Sequence, residues 1–276
     1  MKASRPYNCS LTAQVNRKGV LDIDVVKGCT AGITAHGPTG CYGACYAAAI
    51  AKFRGLDFSR AVTRTVHNSA QARQIERIVR QAPQGFFRIG TMGDPSHAWG
   101  ATVALVKWLA PYAVPVIVTK HWHRASDDDM QELVGSGAVL NTSLSALDTP
   151  AELRHRERER ERYAMFGGHS VTRLVSCDFN PEHETGAALL EVQARLYGLR
   201  PLIDNPLRVS RSHRLVQEEV IRVSVEQDLT ARRTVSLARP QDVYLGTCAG
   251  CSDICGLGIG YNPSVKPLPP QYEMDF

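Results

Sequence analysis

Six of the eight cysteines stand in two short glycine-rich segments: Cys29, Cys41 and Cys45 near the start, Cys248, Cys251 and Cys255 near the end. Thiols grouped in this way pair as disulfides, close around zinc, or hold an iron–sulfur cluster. The 276-residue chain has no apolar segment after its basic N-terminal residues, so it reads as cytosolic, and there metal or redox use is favoured over disulfides. Eleven residues separate Cys29 from Cys41, and three separate Cys41 from Cys45. Three thiolates on one loop can hold a four-iron cluster and leave its fourth iron open to a small molecule. Structural zinc fills four positions, and His36, between the cysteines, offers a fourth ligand, so zinc also stands. The second group spaces its thiols by two and three residues, which suits a second cluster, with Cys9 or Cys177 as a further ligand, or zinc with a borrowed ligand.

Other polar residues fall between these groups. Lys120 is a candidate for a carboxylate or phosphate, while His121 and His123 read as part of a polar loop entering a helix at Asp127–Asp129. Asn141, Ser143 and Ser145 alternate and so share a face, read as inward. Ser176 and Asp178 repeat that pattern, with Cys177 opposite. The run RHRERERER (154–162) pairs opposite charges at a spacing of three and reads as a solvated helix face. Arg208, Arg211 and Arg214 have little acid to balance them and are read first as surface, second as a phosphate clamp.

Strand-like and helix-like segments alternate about six times between residues 21 and 210. Strands are expected at 21–26, 86–90, 114–120, 138–146, 171–179 and 200–210. Helices are expected at 44–53, 59–82, 102–110, 127–137, 149–168 (with a Thr149 cap) and 185–199. This order predicts an α/β fold, a partial or full (β/α) barrel of parallel strands with a C-terminal cysteine-rich extension; a doubly wound sheet is the alternative. The expected divisions are an N-terminal extension (1–20), a barrel core (21–215) and a C-terminal extension (216–276). The candidate motifs all fall at carboxyl ends of strands, where ligands gather in both architectures. With 43% hydrophobic and 21% charged residues the chain supports one sizeable core, no apolar run approaches the ~18 residues of a membrane span, and a net charge of +5 permits a phosphate-bearing or nucleic-acid partner.

The cysteine loop after the first strand, Tyr42 and Tyr46 beside its last cysteines, and the loop RIGTMGDPS (88–96) after the second strand resemble the radical S-adenosylmethionine (radical SAM) superfamily. That family usually spaces its cysteines by three and two residues, a departure from the eleven and three found in this chain. The resemblance implies that Cys29, Cys41 and Cys45 ligate a [4Fe-4S] cluster whose open iron chelates S-adenosylmethionine. One electron then cleaves the sulfonium bond, and a 5′-deoxyadenosyl radical abstracts a hydrogen from substrate. Met92, Gly93 and Asp94 would correspond to the family's GGE loop and take the cofactor's ammonium. Tyr42, Lys120, Asn141, Ser143 and Ser176 are the other expected cofactor-binding residues, and Cys248, Cys251 and Cys255 would hold an auxiliary [4Fe-4S] cluster. An electron donor such as flavodoxin or ferredoxin is implied, and no membrane partner. The expected substrate is a small molecule or a nucleic-acid base, as in the bacteriophage radical proteins that modify DNA thymine derivatives. A peptide-modifying radical enzyme and a non-enzymatic, zinc-stabilised nucleic-acid-binding protein are the alternatives.

Overall fold

The computed structural model describes residues 5–31, 41–224 and 234–262. Its main sheet has seven strands: β1 (Gln14–Val15), β2 (Leu21–Asp22), β5 (Phe86–Ile89), β6 (Val114–Thr119), β7 (Val139–Leu144), β8 (His169–Leu174) and β9 (Leu202–Asp204), lying side by side in that order. β1 and β2 form an antiparallel hairpin, and every pair from β2 to β9 is parallel. The strand order never reverses, whereas a doubly wound sheet changes direction at a switch point. The protein is thus an α/β fold built on a mostly parallel sheet.

Pairing register sorts the side chains into two faces. Asp22, Arg88, Val116, Val139 and His169 are successive partners across the sheet and share the inner face with Asn141, Ser143, Val171, Arg173 and Ile203. The outer face carries Leu21, Phe87, Ile89, Ile117 and Leu140, and it packs against α2 (Ser69–Arg80), α3 (Trp99–Leu109), α4 (Asp127–Gly135) and α5 (Pro150–Met165). Each fully buried aliphatic or aromatic side chain in this layer contributes about 1.5–3 kcal/mol. Farther along, Leu144 and Leu174 pack against Leu153 of α5 and Leu196 of α6 (Glu184–Leu196). Capping fixes where helices start: the Asn68 side chain accepts from Gln71 N, and Ser126 and Thr149 each complete a reciprocal capping box.

Three expected elements differ. The helix expected over 59–82 begins only at Ser69, because β-branched Val62 and Thr63 form β4, antiparallel to β3 (Val26–Lys27). The first expected strand therefore breaks at Asp24 into β2 and β3. The last divides as well: Leu202–Asp204 joins the main sheet, while β10 (Arg208–Val209) pairs with β11 (Thr234–Val235). The C-terminal segment packs on the inner face at the amino ends of the strands, where Cys248, Ile254, Cys255, Leu257, Ile259 and Tyr261 meet Phe86, Val116, Val139, Val171 and Ile203. Among the described residues no helix is long and apolar enough to cross a membrane.

Candidate functional site

The cysteine loop and the loop after β5 are joined by backbone. Gly28 N donates to Met92 O at 2.9 Å, and Gly28 and Gly93 form a parallel bridge. A Cβ on Gly93 would lie 2.5 Å from Val26 O and 2.8 Å from Gly28 O, so only glycine permits this approach. Asp24, at the break between β2 and β3, fixes the other side of the loop: its carboxylate accepts from Gly90 N (3.1 Å), Thr91 N (2.7 Å) and Met92 N (3.0 Å). Burial pushes Asp24 up to about 6, against the lowering effect of those N–H groups.

The thiols expected to act together lie at this end of the sheet. Cys29 is buried in one apolar cluster with Cys45, Met92 and Trp122. Its sulfur is 3.3 Å from His97 Nε2, and His97 Nδ1 is 3.1 Å from Nε2 of the exposed His123. Cys41 packs in a neighbouring cluster with Tyr42 and Ala146. Burial pushes the Cys41 thiol up to about 11; Lys120 opposes this and Cys45 adds to it. None of the three is joined in a disulfide. In kind they fit a thiophilic centre; among the described residues no three His, Cys, Asp or Glu side chains are gathered closely enough to hold a metal. His36 lies outside the described residues.

Beside Cys41 stands a buried ionic network. Lys120 Nζ donates to Tyr42 OH and, at 2.9 Å, to Asp148 Oδ1; Tyr42 OH also donates to Asp148, and Arg156 Nη1 lies 2.6 Å from the same carboxylate. Burial alone would raise Asp148, but Lys120 and Arg156 outweigh it and hold its carboxyl below the usual range. Tyr42 adopts φ 59, and its carbonyl accepts from His213 Nε2 at 2.6 Å. Lys120, expected to hold a ligand anion, thus braces the cysteine loop. Arg156 corrects the reading of 154–162 as a solvated face: it is 1% exposed, and Glu159, Arg160 and Arg162 are buried too. The helix lays that side over the carboxyl ends of β6 and β7, where Arg156 Nε also donates to Lys120 O at 2.9 Å.

The remaining expected residues divide. Asp94 is buried, and its carboxylate accepts from Ser96 N, Thr119 Oγ1 and Lys120 N (2.9, 2.7 and 2.8 Å), which ties the loop after β5 to the end of β6. His121 is buried with Nε2 3.0 Å from Thr142 Oγ1, and burial pushes it down to about 3. Asn141 and Ser143 do face inward, and Asn141 Nδ2 donates to Cys255 O at 3.0 Å. Ser145 lies beyond β7 and donates to Val175 O, and Ser176 donates to Asp204. Arg214 is an exposed partner of Glu218 at 3.7 Å.

Cys248 and Cys255 sit toward the opposite end of the strands from Cys29, and Cys251 stands between them in the chain. Burial raises the Cys248 thiol, as does Cys255, and Arg88 and Lys18 oppose them. Neither suggested further ligand joins them: Cys9 is exposed and 3.9 Å from His67 Nε2, and Cys177 is buried with Phe179 and Leu207.

Asp24, His97, Asp148 and Arg156 are the site residues that reading the sequence missed. Asp148 did carry a signal, an acid just past a strand and before the Thr149 cap. Compared with family models, curated proteins and solved structures, the chain matches none.

Proposed function

We propose that the protein is a radical SAM enzyme whose parallel sheet curls into a partial barrel around its inner face. The observation that carries this reading is the backbone junction of Gly28 with Met92 and Gly93, with Cys29 and Cys45 in one cluster with Met92 and Cys41 in the neighbouring cluster. Curling is supported by the inner face, where Phe86, Val116, Val139, Val171 and Ile203 of five successive strands gather in one cluster with the C-terminal segment.

Cys29, Cys41 and Cys45 would hold a [4Fe-4S] cluster, with Cys248, Cys251 and Cys255 holding a second. Bound there with S-adenosylmethionine, the first cluster would supply one-electron cleavage of the sulfonium and hydrogen abstraction from substrate. The chain's own part is positional. Asp24 and Gly28 hold the loop that meets the cofactor, the Tyr42–Lys120–Asp148–Arg156 network fixes the loop bearing Cys41 and Cys45, and the cluster around Cys29 excludes water. The reading includes a cytosolic setting, a flavodoxin- or ferredoxin-type donor and a nucleotide or nucleic-acid base as substrate. Dithionite with S-adenosylmethionine should give 5′-deoxyadenosine, and Cys41→Ala should abolish it; an unchanged yield overturns the ligand assignment.

The contact of Cys29 with His97 favours a second reading, a zinc-stabilised binding protein. His97, however, meets Cys29 through Nε2 and His123 through Nδ1, so one ion cannot take all three side chains while that chain of contacts stands. Stoichiometric zinc without acid-labile sulfide would establish this second reading.

A further inference from the structure

Helix α1 (Tyr46–Phe53) leaves an aromatic face uncovered. Ala47 and Ala51 turn inward and pack with Cys29 and Phe58. Tyr46 and Phe53 are two turns of helix apart, so they share another side and stand about 10 Å from each other along the axis. Both are exposed, Tyr46 by 48% and Phe53 by 92%, and Ala49 between them is exposed as well. The two ends of that face differ in place. Tyr46 follows Cys45, and its phenol donates to Thr91 O in the loop after β5, so it stands at the mouth of the candidate site. Phe53, at the far end, lies almost wholly in water.

Cations surround Phe53. Lys52 and Arg54 flank it in the chain. Arg5 is held beside them, its N–H donating to Gly55 O at 2.9 Å and its carbonyl accepting from Asp57 N at 2.7 Å. Arg60 follows Phe58, whose carbonyl accepts from Cys29 N at 2.9 Å. All four basic residues are exposed, and none makes an ion pair among the described residues. The one carboxylate in residues 41–66 is that of Asp57, and it accepts from Ser59 N and Oγ at 3.0 and 2.6 Å. A bare ring among cations suits a protein partner poorly, because such a contact needs an apolar core of many residues. It suits nucleic acid well, since phosphates meet the cations and an unpaired base stacks on the ring. Bases in a duplex are already stacked on each other, so the ring selects a single strand.

We infer that this face binds single-stranded nucleic acid, with Phe53 as a stacking platform, Tyr46 as a second one nearer the thiols, and Arg5, Lys52, Arg54 and Arg60 on the phosphates. A strand laid along α1 is carried toward the mouth beside Cys45. The inference rests on the proposed function for its substrate, a nucleic-acid base, and deepens it by placing that base in a polymer. Binding itself needs no cluster, so a failure here leaves the iron and 5′-deoxyadenosine measurements untouched.

The test is fluorescence anisotropy of a labelled oligothymidylate titrated with the full chain as purified, over a series of salt concentrations. The single strand should bind about tenfold more tightly than a duplex of the same length. Phe53→Ala should weaken it about five- to a hundredfold. Phe53→Leu should do the same and Phe53→Tyr should keep binding, because only a flat ring stacks; Phe53 is so exposed that these variants keep the fold. Lys52→Gln with Arg54→Gln should flatten the slope of log affinity against log salt by about 1.4, two phosphate contacts at about 0.7 each. The surface change Arg214→Gln should leave binding unaltered. Full binding by Phe53→Ala, or a preference for the duplex, overturns the site. Phe53-dependent binding of an acidic flavodoxin, with none of the strand, assigns the face to a protein partner and overturns the inference.

Discussion

The two cysteine groups are alike in composition and differ in how the fold holds them. Side chains grip the first: Tyr42, next to Cys41, is locked by Lys120, Asp148 and Arg156, and Cys29 follows a glycine pinned to Met92. The second is held by its own backbone, whose Cys255 and Gly256 carbonyls accept from the Asn141 and His169 side chains of the sheet. The first lies at the carboxyl ends of the strands, where this class of sheet places its chemistry, and the second closes the amino ends. Three thiols in a glycine-rich segment are therefore not one motif. Their place on the sheet separates a group at the carboxyl ends of the strands from one at the amino ends.

That difference can be broken most severely at Asp148. Asp148→Ala leaves Lys120 a buried cation without its carboxylate and Arg156 with Glu152 alone at 3.3 Å, and should cost about 3–5 kcal/mol in urea unfolding; a loss under 1 kcal/mol would show that the network does not hold the first loop. Gly93→Ala attacks the junction itself. Its methyl meets two carbonyl oxygens, so stability should fall by about 1–3 kcal/mol, while the C-terminal segment keeps its resistance to protease.

Asp24 ties the same junction to pH. Its folded-state value of about 6 lies above the ordinary carboxylate value, so the protonated form favours the fold. The stability it contributes is complete below about pH 4 and lost as pH rises through 6. Asp24→Asn should be less stable overall, having lost an acceptor for Met92 N, but its deficit should shrink by about 1–3 kcal/mol between pH 4 and pH 7; a deficit independent of pH contradicts the assignment. The smallest effect is expected at the amino ends. Asn141→Ala should cost about 1 kcal/mol and quicken proteolysis near Cys255, with the junction at Gly28 unaffected.

Much of this arrangement was legible in the sequence. Alternating apolar patterns gave the six parallel strands, and the placement of motifs after strands put Cys29 and Met92–Asp94 at one end. Legibility failed where a pattern admits two structures. Val62 and Val66 match helical spacing, yet β-branched Val62 and Thr63 pair with Val26–Lys27. In 154–162 the charge pairs are local and visible, but what packs over Arg156 is set by β6 and β7, distant in the chain. Asp94 and Lys120 have the right chemistry for ligands, and only the fold shows that their groups are bound to Thr119, Tyr42 and Asp148.

The most direct measurement is iron and acid-labile sulfide per chain in anaerobically prepared protein, with wild type set beside a triple Cys29→Ala, Cys41→Ala, Cys45→Ala variant. Iron and sulfide in equal amounts, with the share that accompanies 5′-deoxyadenosine formation lost in the variant, is the result predicted. A colourless protein carrying zinc and no sulfide contradicts the account.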